Sequence, residues 1–303
     1  MYVADMHCDS LSLVSGERGL LSGYNTSLTH PHLQFFAHFH GAKGLDAASR
    51  RRLVMRDFNI YLSECRRLGI LNVTSNRELF SAVDDMKSAG MFTVEGGGGL
   101  FADSPELDVL VRGGLAVLGL AWDKNELSSS AWDAVDEGLT EEGVRMVERC
   151  AELGVTVDVS HLSDRAFYEV FERSPYPHIA THSNFRSVCQ SSRNLTDEMA
   201  KMISSRGGVI GLNLYPSFLR EDGGVAVDDV IRHVDYALTL VGDSALGFGF
   251  DIDGTDGKYP RGISESESIH DRIIEELAKR YTAATVEKIA GGNVIEFLKN
   301  NLA

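Results

Sequence analysis

The sequence predicts an α/β protein built as a (β/α)8 TIM barrel of the metal-dependent hydrolase type. Short apolar runs of strand length recur along the chain, and amphipathic stretches of helix length lie between most of them. Several of the strands also end on metal-capable polar residues. Alternating strands and helices imply parallel strands joined by crossovers. A doubly wound open sheet shows the same alternation, and strand count alone leaves it open. A chain of 303 residues suits one barrel domain spanning 1–303.

Eight strands are expected, at 2–6, 33–39, 91–95, 115–121, 155–160, 178–181, 208–214 and 245–250. Residues 42–90 hold two helical segments before the third strand. The stretch "TEEGVRMVERCAELG" (140–154) sets Val144, Val147, Cys150, Ala151 and Leu153 at helical spacing and stops on Gly154. "SDRAFYEVFERS" (163–174) opens on a serine cap, with Phe167, Val170 and Phe171 on one face. "TDEMAKMISSRGG" (196–208) opens on Thr196 with acids in its first turn. "VDDVIRHVDYALTLVG" (227–242) repeats the pattern, and 265–303 reads as a wholly helical C-terminal segment.

Apolar residues make up 43% and charged residues 24%, as in a globular chain with a large core. A net charge of −15 argues against nucleic acid or an anionic membrane as partner. Cys8, Cys65, Cys150 and Cys189 form no CxxC pair and read as free thiols of a reducing compartment. No apolar run is long enough to span a membrane, and the first residues read as a strand rather than a leader. The expected location is cytoplasmic.

The positions of His, Asp and Glu are the informative feature. His7 and Asp9 in "DMHCDS" lie two residues apart, on one face if the strand runs that far. "MFTVEGGGG" ends its apolar run at Glu95, "VTVDVSHLS" at His161, "HIATHSN" at His182, and "ALGFGFDIDG" at Asp251 and Asp253. Five of the eight strands thus present a metal-capable residue at the end where barrel active sites are built. Three histidines with two or three carboxylates exceed what one tetrahedral ion with an open position needs. They suit two divalent ions, zinc or a related metal, sharing a bridging carboxylate at Glu95.

These residues carry a resemblance. The segments "DMHCDSL", "LQFFAHF", "VEGG", "DVSHLSD", "ATHSNFRSVCQSSRNLTDE", "GGVIGLN", "GFGFDIDG" and "GGNV" resemble the membrane (renal) dipeptidase family of the amidohydrolase superfamily, from first strand to last helix. The resemblance implies a two-zinc barrel that hydrolyses dipeptides by a metal-bridging hydroxide and tolerates a D-residue at the C-terminal position. It implies that His7 and Asp9 hold the first ion, Glu95 bridges, and His161 and His182 hold the second. Asp251 would pass a proton from water to the leaving amine, and Arg193 would grip the substrate's carboxylate, as a guanidinium does through paired hydrogen bonds. It also implies a possible homodimer.

One segment departs from the family. Mammalian members carry a histidine after the fourth strand, where "LGLAWDKNEL" places Trp122 and Asp123. Trp122, Asp123 and Asn125 are candidates to line the substrate pocket. The run containing His30, His32, His38 and His40 reads as strand packing, surface or supporting groups rather than a further metal site. The glycines at 96–99 lack a phosphate-loop context and read as a sharp turn that brings backbone near the metals. Cys8 reads as a packed core thiol, and Asp5 and Asp253 as supporting groups. His178, His233 and His270 have no supporting pattern. Another amidohydrolase (an N-acyl amino acid deacetylase or a lactonase) and an inactive binding protein are the competing readings.

Overall fold

The computed structural model describes residues 1–13, 31–40, 44–222, 224–263 and 268–302. His30 therefore lies outside the described residues. The strands are β1 (Val3–Cys8), β2 (His32–His38), β3 (Leu71–Asn72), β4 (Ala89–Val94), β5 (Val117–Gly119), β6 (Thr156–Asp158), β7 (Ile210–Leu212) and β8 (Leu246–Phe248). Their hydrogen-bonded order is β6-β5-β4-β2-β1-β8-β7, all parallel, with β3 attached to β4 beside this path.

The ring closes through the expected strand at 178–181, which pairs by single bridges rather than a ladder. Ile179 bridges Asp158 and Ala180 bridges Ile210. Val159 N–H donates to the Ile179 carbonyl at 2.8 Å, and Ala180 N–H to the Val209 carbonyl at 3.0 Å. On the β6 side the pairing stops there because Thr181 N–H donates to the Asp158 carboxylate at 2.9 Å, while on the β7 side Ser183 N–H still reaches the Gly211 carbonyl at 2.7 Å. A side chain has replaced the next backbone acceptor. β3 was not expected; two half-buried residues carry no periodic signal.

The helices follow their caps. Thr140 accepts from Gly143 N–H at 3.0 Å, and the helix Glu141–Leu153 ends on Gly154 at φ 69°. Ser163 and Thr196 cap Asp164–Arg173 and Asp197–Ser205 in the same way. The C-terminal segment is not one helix. It runs as Ile269–Ala278, Ala283–Glu287, a wide π-turn Lys288–Gly292, and Asn293–Asn301. Close approach to β1 explains the break: a Cβ on Gly291 would stand 2.3 Å from the Tyr2 carbonyl oxygen.

Residues of β2 alternate between two cores, as a pleat requires, while in β1 the irregularity between Asp5 and Cys8 puts Cys8 in a different core from Ala4 and Met6. Val3, Cys8 and Phe36 pack with Phe58 and Tyr61 of the helix Ala47–Leu68. Ala4, Met6, Leu33 and Phe35 pack with Val294 and Leu298 of the last helix. Cys8 belongs to the first core, and burial raises its thiol well above the ordinary range. Among the described residues no helix is long and apolar enough to cross a membrane.

Glu276 ties the helix Ile269–Ala278 together, with Arg272 at 2.7 Å, Lys279 at 2.7 Å and Arg280 at 2.8 Å. Hydrogen bonds from Lys279 and Arg280, with Arg272 nearby, lower its carboxyl from 4.5 to about 2. A lowered carboxyl stabilises the fold above its ordinary value and ceases to do so as pH falls through the folded one. Glu276→Gln is expected to lower the melting temperature at pH 7 by about 2 °C. The deficit against wild type should shrink between pH 4.5 and about 2, measured by calorimetry at a series of pH values. A deficit constant across that window would show that the loss is not electrostatic.

Candidate metal centre

The ends of β1, β4, β6 and β8 and of the bridging segment at 178–181 deliver the cluster to one rim. His7 lies inside β1, and Asp9 follows it, its N–H donating to the Ile252 carbonyl at 2.8 Å. That bond extends β1 beside the segment after β8 and sets Asp9 next to Asp251. Glu95 follows β4, its N–H bonded to the His38 carbonyl at 2.9 Å. His161 lies beyond β6, and His182 follows the bridging segment that closes the ring.

The atoms meet in three overlapping groups, two of which share Glu95. Glu95 Oε1 lies 2.8 Å from His161 Nε2 and 3.1 Å from His182 Nε2, and the two Nε2 atoms are 2.9 Å apart. His7 Nε2 lies 3.6 Å from Asp9 Oδ1, 3.7 Å from Glu95 Oε2 and 3.8 Å from Asp251 Oδ1. Ligand atoms of Glu95, His161 and His182, of His7, Asp9 and Glu95, and of His7, His182 and Asp251 each lie within 4.8 Å of one another. All six residues are buried.

Hydrogen bonding behind His182 fixes its tautomer. Thr181 Oγ1–H donates to Asp158 Oδ2 at 2.5 Å, so the hydroxyl oxygen accepts from His182 Nδ1–H at 2.8 Å. The His182 Nε2 lone pair therefore faces the Glu95 carboxylate, an arrangement that a cation between them makes favourable. His7 Nε2, Asp9 Oδ1 and Glu95 Oε2 are buried with no hydrogen-bond partner, which again fits a bound cation. The donor set of imidazoles and carboxylates suits zinc and related divalent ions.

The electrostatics agree. Burial holds His161 and His182 well below the ordinary imidazole range, so both are neutral donors. Burial also opposes charge on His7, but Glu95, Asp9 and Asp251 outweigh it and lift the imidazole to about 10, so the pocket carries a negative field that favours a positive charge, held as a proton on His7 or as a cation that would displace it. Burial raises Glu95 well above the carboxylate range and Asp251 to about 6, with His7 opposing both shifts. His161 at φ 66° and Asp251 at φ 60° are left-handed, a backbone strain typical of functional sites.

Among the groups that hold this cluster, sequence reasoning marked Asp5 as a supporting residue and missed Asp158, Asn213 and His270. Asp158 accepts from the N–H groups of Ser160 and Thr181, both at 2.9 Å, and so fixes the turns that carry His161 and His182. Asp5 Oδ1 accepts from His7 N–H at 3.1 Å and Phe250 N–H at 3.2 Å, while Oδ2 receives His270 Nε2–H at 2.7 Å. His270, which showed no pattern in the sequence, thus supports the ends of β1 and β8. Asn213 donates to Asp251 Oδ2 at 3.1 Å. A Cβ on Gly254 would fall 2.0 Å from Asp251 Oδ1 and 2.5 Å from Asp9 Oδ2. The available signal was polar residues inside otherwise apolar strand runs.

A cavity of about 400 Å³ opens over the cluster. Phe39, Trp122, Trp132, Tyr215 and Phe218 form its aromatic walls, and Asp9, Glu95, Asp251, Asp253 and Asp256 its acidic ones. Trp122 is among the lining residues; Asp123 and Asn125 are not. Asp123 faces Arg50 at 3.6 Å, and Asn125 holds its own loop through Leu120 and Leu127. Their side chains are committed to the loop fold. Arg193 is buried, with Nη1 on Ser183 Oγ at 2.7 Å, Nη2 on the His182 carbonyl at 2.9 Å, and its guanidinium 5.7 Å from the Phe218 ring centroid. Burial lowers it to about 10, within the charged range at neutral pH.

The other expected features settle elsewhere. His32 and His38 are buried, and His38 Nδ1 pairs with Asp57 at 2.7 Å against the helix Ala47–Leu68. The glycine run is crowded by other loops rather than by the metal-capable side chains. A Cβ on Gly99 would stand 2.4 Å from the Ala47 carbonyl, and one on Gly98 2.9 Å from Asn125 Cβ. Gly96 and Gly99 adopt φ 84° and 89°, which confirms the sharp turn.

A parallel barrel with imidazoles and carboxylates converging at one rim defines a metal-dependent hydrolase of the amidohydrolase type. The family model described as membrane dipeptidase (peptidase family M19) matches residues 29–302, and the chain belongs to that family. His7 and Asp9 lie before the matched span. A metallopeptidase from Rhodobacter sphaeroides, crystallised with a phosphinate mimic of the dipeptide L-Ala-D-Ala, superimposes with TM-score 0.89 at 26% identity. That match covers 99% of each chain. An uncharacterised protein of Klebsiella pneumoniae is 29% identical over 229 residues, 72% of this chain and 83% of its own length. Mouse dipeptidase 3 is 31% identical over 163 residues, 54% of this chain and 33% of its own length. Family membership implies a divalent metal ion.

Removing the Thr181 hydroxyl tests the support behind His182. Thr181→Val is expected to weaken zinc binding by about 10- to 100-fold, read by competition with a chelating dye. Thr181→Ser should restore it. Equal zinc affinity in the valine variant would show that the hydroxyl does not orient the imidazole.

Proposed function

We propose that the protein is a zinc-dependent dipeptidase. The observation that carries this reading is the pair of ligand groups joined through Glu95, with Asp251 at their edge and Arg193 buried behind His182. His7 and Asp9 would hold one divalent ion, His161 and His182 a second, and Glu95 would bridge. Ions bound there supply a lowered water pKa and polarisation of the scissile carbonyl.

The remaining work belongs to the chain's own groups. Asp251 Oδ2 is fixed by Asn213, which leaves Oδ1 toward His7 and the cavity to take a proton from water and return it to the departing amine. Burial raises this carboxyl toward neutrality, which favours a group that must both accept and release a proton. Arg193 would hold the substrate carboxylate and fix the register of the peptide bond. The mimic bound by the Rhodobacter relative ends in a D-residue, and that supports tolerance of L,D dipeptides here.

Kinetics on L,L and L,D dipeptides, with N-acyl amino acids and lactones alongside, test the reading. Dipeptide turnover dependent on about two zinc ions per chain is expected. Turnover confined to lactones or acyl amino acids would replace it with the deacylase or lactonase alternative.

His161→Ala is expected to drop zinc content toward one ion and lower kcat/KM by roughly a hundredfold or more. Full activity with unchanged zinc would remove His161 from the site. For Arg193→Met, KM for dipeptides should rise by roughly 10- to 100-fold, as expected for loss of a charged hydrogen-bonding partner. Arg193→Lys keeps the charge without the fork and should fall between. An unchanged KM in both variants would place the carboxylate elsewhere.

A further inference from the structure

Aromatic rings line the cavity over the cluster, and the proposed chemistry makes no use of them. The rings touch one another in sequence. Phe39 meets Trp122 edge-on with centroids 4.9 Å apart. Tyr215 meets Phe218 at 4.8 Å, and Phe218 meets Trp132 at 5.9 Å. The His161 imidazole joins the two halves, 6.2 Å from Trp122 and 6.3 Å from Trp132. The rings therefore form a belt around the His161 side of the cavity.

Trp132 stands apart within this belt. It is 50% exposed, whereas the other four rings are buried or half-buried. An isolated exposed ring on a surface needs no explanation. This one lines a cavity beside the proposed metal ligands, where a ligand would take its free face out of water. The turn that carries it is already ordered. Asp133 N–H donates to the Ser130 carbonyl at 3.1 Å, and Ser130 N–H to the Asp133 carboxylate at 2.7 Å. Ala131 N–H donates to the His161 carbonyl at 2.8 Å, which ties the turn to the loop that bears the ligand. Ser128, Ser129 and Ser130, at the base of the turn, are buried. The indole is thus held over the cavity by backbone bonds, and little ordering remains to be done when a substrate arrives.

A dipeptide is short, and its scissile bond has to lie at the cluster. A side chain flanking that bond on the His161 side meets the Trp132 and Phe218 rings. We propose that Trp132 is a specificity-determining residue, and that the enzyme favours dipeptides bearing an aromatic side chain that packs against it. This rests on the dipeptidase reading. A flat ring covers the indole more fully than a methyl group does, and offset or edge-on aromatic contacts add to the area buried.

The test compares kcat/KM of the zinc-loaded enzyme on alanyl-alanine, phenylalanyl-alanine and alanyl-phenylalanine. At least one phenylalanine dipeptide should exceed alanyl-alanine by roughly tenfold, and its ring position is the one that Trp132 reads. In Trp132→Ala that advantage should fall to about threefold or less, and Trp132→Phe should retain most of it. Zinc content should stay equal in all three proteins. Trp132 is half exposed, so neither variant threatens folding. An advantage lost together with zinc, or equal losses on all three substrates, would make Trp132 a support for His161 and overturn the inference. So would a wild-type enzyme with no phenylalanine advantage, or an advantage that survives Trp132→Ala. Each of these leaves the dipeptidase reading intact, whereas no turnover of any dipeptide overturns both.

Discussion

The structure depends on holding three imidazoles and three carboxylates in contact inside a buried rim. Burying ionised carboxylates side by side is unfavourable, and so is facing imidazole lone pairs at one another. The chain meets this with a tier of buried acids behind the cluster. Asp5 grips the N–H groups of His7 and Phe250, and Asp158 grips those of Ser160 and Thr181. Each acid therefore fixes two strand ends at once, and each strand end carries a member of the cluster or its neighbour. The His38 carbonyl does the same for Glu95, with His38 itself anchored on Asp57. The cluster is thus set by two buried carboxylates that each accept from two backbone N–H groups, together with the backbone bond from Glu95 to His38. Such rigidity is what a metal centre of defined geometry needs from a protein.

The barrel and its rim were legible because both express periodicity. Strands of the expected kind formed at seven of the eight expected runs, and the helix starts at Ser163 and Thr196 and the stop at Gly154 formed where the sequence places them. His7, Glu95, His161, His182 and Asp251 converge because they occupy equivalent places at the ends of parallel strands. What was not legible depends on pairing across the chain. Asp5 meets His270 from the far end of the sequence, and no local spacing relates them. Asp123 and Asn125 sit in a segment whose position suggests the pocket, but their side chains turn to Arg50 and to backbone. Loop side-chain direction is set by local hydrogen bonds, which composition does not encode.

The weakest-looking part of the ring is also its tightest. At 178–181 the sheet closes by single bridges, and the Thr181 carbonyl presses between β7 and β8. A Cβ on Gly211 would stand 1.9 Å from that oxygen, and one on Gly249 1.7 Å. Either distance is far inside van der Waals contact, so only glycine admits this approach. The consequence falls on the next residue, His182, whose imidazole stacks on His7 with centroids 3.7 Å apart. Two glycines on neighbouring strands therefore set how deeply His182 enters the cluster, while Asp158 and Thr181 set its rotation. The short bridging segment trades ladder hydrogen bonds for a side-chain network, and that exchange places a proposed metal ligand where a regular strand would have carried it outward.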